Sequence, residues 1–210
     1  MDKLKASLIE QPVTQSLAEK ERLRVGILGG TFNPPHLGHL MIAQQVQSIL
    51  QLDRMMFLPT ATPPHVHEKK TITAEHRINM LQLAIDDNED FFVDQYEVQN
   101  GGKNYTIDTV RALMARYPMV DFYFVIGADM VEDLVTWHNA DELVNIIPFV
   151  AVKRSGYSLD SKFPLITVDI PAVDISSSYI RHAVSVGQSI RYLVPEDVRF
   201  YIEQEGLYQS

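Results

Sequence analysis

An α/β fold on a largely parallel sheet is predicted by three features of this 210-residue chain. Short apolar runs alternate with segments of helical periodicity. The first run, Leu23-Arg24-Val25-Gly26-Ile27-Leu28, passes through a glycine pair into a helical pattern. The polar, chemistry-bearing loops all follow predicted strands, as they do where a ligand sits beyond the carboxyl ends of an open sheet.

In chain order, Gly29 and Gly30 are expected to turn so that backbone comes close to a ligand. Pro34 and Pro35 delay the helix, which starts near Leu37 with Leu40, Ala43, Val46 and Leu50 on one face. Residues 54–58 read as a second strand, ending in a proline-rich loop that reaches His65. A helix is expected over 74–86, with Thr73 as N-cap and Glu75 in its first turn. Residues 91–98 read as a strand before the Asn100-Gly101-Gly102 turn. Thr106 is placed to cap a helix over 107–117, closed by Pro118. The apolar run 121–126 ends at Gly127, Ala128 and Asp129. Short helices over 130–134 and 140–146 follow, then strands at 149–152 and 165–168. A final helix begins at Pro195, where proline is tolerated as first residue, and stops before Gly206.

Composition narrows the function classes. Hydrophobic residues at 46% suit a globular enzyme and exceed what a disordered chain carries. A net charge of −9 argues against nucleic acid as a partner, since that rewards a basic face. Cysteine is absent, which excludes disulfides and thiolate metal sites and is compatible with a reducing cytosol. No apolar stretch approaches the ~20 residues that span a bilayer, so no membrane partner is expected. Residues 1–22 lack the continuous apolar core of a secretory signal. A cytoplasmic location follows, and a homo-oligomer is compatible with the sequence.

Two segments carry the chemistry. His36 and His39 lie three apart at a helix N-terminus, so their rings share one side. That terminus already offers unpaired N–H groups and partial positive charge. With two imidazoles and a glycine pair it suits phosphate oxygens; the plain alternative is a pair of histidines capping a surface helix. The commoner motifs G-x-G-x-x-G and G-x-x-x-x-G-K-[ST] are absent. Ser176-Ser177-Ser178 before a helix forms a second phosphate cradle, and Arg181, one turn on, adds a forked cation. An ordinary serine cap with a solvated arginine competes with that reading. Trp137, the one tryptophan, has a flat apolar face suited to stacking on a cationic ring, or serves as a core or surface aromatic. Asp129 at a strand end either accepts from ribose hydroxyls or caps the next helix.

The run Gly29-Gly30-Thr31-Phe32-Asn33-Pro34-Pro35-His36-Leu37-Gly38-His39 resembles the G-G-x-F-x-P-x-H-x-G-H signature of the nucleotidyltransferase superfamily. Ile175-Ser176-Ser177-Ser178-Tyr179-Ile180-Arg181 resembles its I-S-S-T-x-I-R signature, with Ser178 where threonine is usual. Pro63-Pro64-His65, His76-Arg77, Tyr105-Thr106, Ile126-Gly127-Ala128-Asp129, Trp137, Val152-Lys153-Arg154-Ser155-Gly156 and Glu205-Gly206-Leu207-Tyr208 occur in that order. Across residues 24–208 the chain is similar to the bacterial nicotinate-mononucleotide adenylyltransferase family.

The resemblance implies a Rossmann-like open, mainly parallel sheet with helices on both faces, as a single domain over 23–210 after an extension over 1–22. It implies transfer of AMP from ATP to nicotinate mononucleotide, giving deamido-NAD and pyrophosphate. His36, His39 and Arg181 would be catalytic. Gly29, Gly30, Thr31, Phe32, Ser176, Ser177 and Ser178 would bind the ATP phosphates, and Gly127, Asp129 and Arg154 the adenosine. Thr106 and Trp137 would hold the nicotinate ring and its carboxylate. Mg²⁺ would be carried mainly by ATP, with no protein metal site. The acceptor phosphate is an anion near neutral pH, its second pKa being about 6, so no general base is needed.

Three departures stand out. Asn33 replaces a common Asp, and His138 a common Tyr. Val66 follows Pro-Pro-His where a basic residue is common, leaving open which of His65, His67, Lys69 and Lys70 reaches a phosphate. The competing functions are another superfamily member, such as a pantetheine-phosphate adenylyltransferase or cytidylyltransferase, a non-catalytic nucleotide-binding regulator, and a metal hydrolase. The hydrolase would need His36, His39, His65 and His67 without the glutamate of H-E-x-x-H.

Overall fold

Among the described residues, six strands hydrogen-bond side by side: β1 (Leu23–Gly30), β2 (Arg54–Pro59), β3 (Phe91–Val93), β4 (Val120–Gly127), β5 (Phe149–Val152) and β6 (Ile166–Val168). Every pair is parallel, in the order β3-β2-β1-β4-β5-β6. This Rossmann-like order reverses its direction of winding between β1 and β4, which opens a crevice at their carboxyl ends. The computed structural model describes residues 22–61, 72–153, 159–171 and 173–209. Arg154, His65, His67, Lys69 and Lys70 lie outside the described residues.

The helices are α1 (Leu37–Leu50), α2 (Ala74–Ile85), α3 (Tyr96–Asn100), α4 (Thr106–Arg116), α5 (Ala140–Ile146), α6 (Ser177–Ser185) and α7 (Glu196–Gln204). Alternation along the strands divides the core in two. Leu28, Met55, Phe57 and Val125 pack with Ala43 and Val46 of α1, Met80 and Leu81 of α2, Ile180 of α6 and Val198 of α7. Val25, Ile27, Met56, Phe122 and Phe124 pack with Ile107, Val110 and Leu113 of α4 and Leu143 of α5. The helices therefore cover both faces of the sheet, as a parallel sheet requires.

Several expectations need correction. The glycine pair does not turn: Gly29 and Gly30 are the last residues of β1, paired with Leu58 and Pro59 of β2. The turn comes later, where Phe32 adopts φ 51°. The strand expected over 91–98 stops at Val93, because the buried Asp94 carboxylate accepts the Tyr96 backbone N–H at 2.8 Å and redirects the chain into α3. Thr106 is the first residue of α4, with Tyr105 at the cap position. In place of a helix over 130–134 there are two 3₁₀ turns, Ala128–Met130 and Asp133–Thr136. Pro195 occupies the N-cap position of α7, one residue before the helix. Thr73 does cap α2, its hydroxyl accepting from the His76 backbone N–H at 3.5 Å.

Candidate active site at the carboxyl ends of β1 and β4

After β1 the chain folds Phe32 back into the core, where its ring is 1% exposed. That ring lies edge-on to His39 at 5.0 Å and against Phe57 at 5.8 Å. His36 stands at the N-cap of α1 in extended conformation, and its ring stacks on that of His39 at 3.7 Å between centroids. The His36 backbone N–H donates to His39 Nδ1 at 3.2 Å, so the proton of neutral His39 resides on Nε2. Burial, followed by the neighbouring His36, holds the His39 pKa well below the ordinary histidine value. His39 is therefore a neutral N–H donor at pH 7. Gly38 makes room for this arrangement, since a Cβ there would lie 3.0 Å from His36 Nδ1.

The two signature segments, some 140 residues apart in the chain, are tied directly together. The Ser177 hydroxyl donates to the Pro34 carbonyl at 2.8 Å. Arg181 donates through Nη1 to the Asn33 carbonyl at 2.8 Å and through Nη2 to Ser178 Oγ at 3.0 Å. Ser176 caps α6, its hydroxyl accepting from the Tyr179 backbone N–H at 3.2 Å. The Ser177 O–H is thus engaged within the protein, whereas Ser176 and Ser178 act in these bonds as acceptors and keep their O–H donors. An anion can meet those hydroxyls, the open backbone N–H groups of the first turn of α6 and the outer N–H groups of Arg181.

Between the segments lies a cavity of about 300 Å³. His36, His39, Ser176 and Ser177 form its polar wall; Met41, Ile42, Ile170, Pro171 and Val173 form an apolar one. Gly127 and Asp129, at the end of β4, and Val152 and Lys153, at the end of β5, also line it. The Asp129 carboxylate folds back over Gly127, where any Cβ would collide with it. Asp129 sits within its 3₁₀ turn and not at the cap. Among the described residues, no group of three His, Asp or Glu side chains could hold a metal ion.

Trp137 and Thr106 do not line this cavity. Trp137 is half-buried, edge-on to Phe124 and to Phe149, each at 6.0 Å. Beside it in sequence, His138 lies against Tyr105 at 4.2 Å, joining the loop after β4 to the start of α4. Phe124 connects the two regions: a Cβ at Gly29 would lie 3.5 Å from its ring.

Residues 27–183 match the cytidylyltransferase-like family. The chain is 52% identical over 198 residues to the probable nicotinate-nucleotide adenylyltransferase of Lactiplantibacillus plantarum, covering 94% of both chains. It is 49% identical over 196 residues to the enzyme of that name from Enterococcus faecalis, covering 93% of this chain and 90% of that one. This chain belongs to the nicotinate-nucleotide adenylyltransferase family. The fold agrees: Plasmodium falciparum nicotinic acid mononucleotide adenylyltransferase complexed with NaAD matches at TM-score 0.77 and 22% identity, over 89% of this chain and 98% of that one.

In this member of the adenylyltransferase family, sequence reasoning left Arg77 and His138 without roles. Arg77 is 1% exposed and donates to the carbonyls of Thr31 (2.8 Å), Thr60 (2.8 Å) and Ala61 (3.2 Å), binding the loop after β1 to the loop after β2. Burial pulls its pKa down from the ordinary arginine value. A signal was present: Arg77 lies on the same stripe as Met80, Leu81 and Ala84, the buried face of α2. His138 carried no such signal, because its partner Tyr105 is remote in sequence.

Proposed function

We infer that this protein transfers the adenylyl group of ATP to nicotinate mononucleotide, releasing pyrophosphate and forming deamido-NAD. The tie between the two signature segments, Arg181 on Asn33 and Ser177 on Pro34, carries the site assignment. It brings His39 and Ser177 to one cavity and fixes Arg181 on the turn that leads into α1. An oxygen of the acceptor phosphate attacks the α-phosphorus of ATP, and the bond from that phosphorus to the bridging oxygen breaks. The electrons leave with pyrophosphate, so the charge that needs stabilising develops on the β- and γ-phosphate oxygens. His39 Nε2–H, His36 and the Arg181 guanidinium supply donors there, aided by the N-termini of α1 and α6. The backbone of Gly29, Gly30, Thr31 and Phe32 borders the phosphates, and the apolar wall accepts the adenine. Asp129, with Gly127 beneath it, accepts from the ribose hydroxyls. Thr106 and Trp137 hold the nicotinate ring.

Mg²⁺ is carried by the phosphates of ATP and by water, in keeping with the side chains at the site, and offsets their charge. The reaction belongs to the cytoplasm, where ATP is supplied. Among the described residues, no helix is long and apolar enough to cross a membrane. Incubation with ATP, Mg²⁺ and nicotinate mononucleotide should yield pyrophosphate and deamido-NAD in equal amounts. Pyrophosphate without the dinucleotide would overturn the assignment of the acceptor.

A further inference from the structure

The chain end returns to the site. After α7, the Leu207 backbone N–H donates to the Ile202 carbonyl at 3.0 Å, and Gly206 at φ 60° reverses the path. Leu207 enters the core, and Tyr208 takes the left-handed conformation, φ 62°, that side-chain-bearing residues rarely adopt. The Tyr208 hydroxyl then donates to Asn33 Oδ1 at 2.7 Å, across 175 positions of sequence. Burial pushes the Tyr208 phenol up from its ordinary pKa, so it remains a donor at any pH the enzyme meets. Asn33 is itself 3% exposed, and its carbonyl is the one on which Arg181 Nη1 rests. A relay thus runs from the Tyr208 hydroxyl to the Asn33 side chain, through the Asn33 peptide, to the guanidinium.

We propose that Tyr208 is a positioning residue for adenylyl transfer: by holding Asn33 it fixes the carbonyl that aims Arg181 at the departing phosphates. The proposal rests on the assignment of Arg181 made above. Loss of the hydroxyl leaves Asn33 Oδ1 without this donor and frees the peptide to rotate. Ground-state binding changes little, whereas the donor geometry at the leaving group, which matters in the transition state, loosens. The rest of the terminal segment is anchored separately. The Tyr201 hydroxyl accepts from Asn79 Nδ2 at 3.0 Å and lies 2.9 Å from His76 Nδ1, which docks α7 on α2.

The test compares Tyr208→Phe with Tyr201→Phe in the full chain, measuring pyrophosphate release and thermal unfolding. Tyr208→Phe should lower kcat about tenfold, with both KM values within about twofold and Tm within about 2 °C of wild type. Tyr201→Phe should lower Tm and leave kcat unchanged. Adding Asn33→Ala to Tyr208→Phe should cost no further activity beyond Asn33→Ala alone, because both changes cut one relay. Asn33→Asp keeps an acceptor oxygen and should preserve the dependence on Tyr208. Wild-type kcat in Tyr208→Phe, an equal kcat loss in Tyr201→Phe, or independent losses in the double variant would each overturn the proposal. Wild-type kcat in Arg181→Lys would instead overturn the site assignment beneath it.

Discussion

The proposed phosphate end and the proposed acceptor end of this molecule are held by different forces. At the proposed phosphate end, one buried donor and three half-buried ones lock carbonyls across distant parts of the chain: Arg77 on Thr31, Thr60 and Ala61, then Arg181 on Asn33, Ser177 on Pro34 and Tyr208 on the Asn33 side chain. At the acceptor end, Trp137 touches Phe124 and Phe149 by their edges, and exposed Tyr105 and His138 lie ring against ring. Aromatic contacts of this kind contribute about 0.5–1.5 kcal/mol each beyond burial and tolerate adjustment. A buried hydrogen-bond network fixes one geometry and is costly to break. The division suits the proposed chemistry: stabilising a departing pyrophosphate needs donors already in place, whereas accepting a flat ring needs a surface that settles onto it.

The largest effect that would sharpen this contrast is at His39. His39→Ala removes the neutral donor proposed to meet the developing charge and should lower kcat about 10²–10³-fold, as loss of a single oxyanion donor does. Circular dichroism should find the fold intact, and an active His39→Ala variant would break the assignment. Trp137→Ala should act on the other parameter. It should raise KM for nicotinate mononucleotide about tenfold and change kcat less than about threefold, since a stacking surface binds ground and transition states alike.

The two ends also carry opposite pH dependence of stability. His39 has a lowered pKa, from burial first and His36 second. Its contribution is present above the unfolded value of about 6.5 and is lost as pH falls through that value toward the folded one. Glu97, at the start of the segment leading to Tyr105, is buried, and its carboxyl accepts from the Thr109 hydroxyl at 2.9 Å. Burial raises its pKa, partly opposed by that hydrogen bond. Its contribution is present below the unfolded value of about 4.3 and is lost as pH rises through the folded one. Glu97→Gln, which can still accept from Thr109, should therefore flatten the stability profile between the unfolded value and the raised folded one. Urea unfolding at a series of pH values checks this, and an unchanged slope would show that Glu97 ionises freely. The smallest effect is expected from removing residues 1–21, which should leave kcat within about twofold.

What the sequence made legible follows from the range of the forces involved. The apolar run at 23–28, the helix after Pro35 and the strand before Gly127 are local patterns, and all three appear in place. The two signature segments pointed to phosphate in the sequence because helix N-termini with flanking Gly, His and Ser are themselves local patterns. The misreadings arose where one polar side chain overrode an apolar run, as Asp94 does at the end of β3. The partner of the Ser177 hydroxyl, the Pro34 carbonyl, lies far along the chain and was likewise beyond any local pattern. The contacts of Tyr208 with Asn33 and of Tyr105 with His138 depend on the fold having formed, and no spacing announces them.

The most direct test of a shared phosphate end joined to a selective acceptor end is kcat/KM with ATP and Mg²⁺ for nicotinate mononucleotide and for phosphopantetheine, measured side by side. The account predicts a preference of at least about 10²-fold for nicotinate mononucleotide, a preference that Trp137→Ala should reduce. Equal use of both acceptors, or turnover with phosphopantetheine alone, would contradict it.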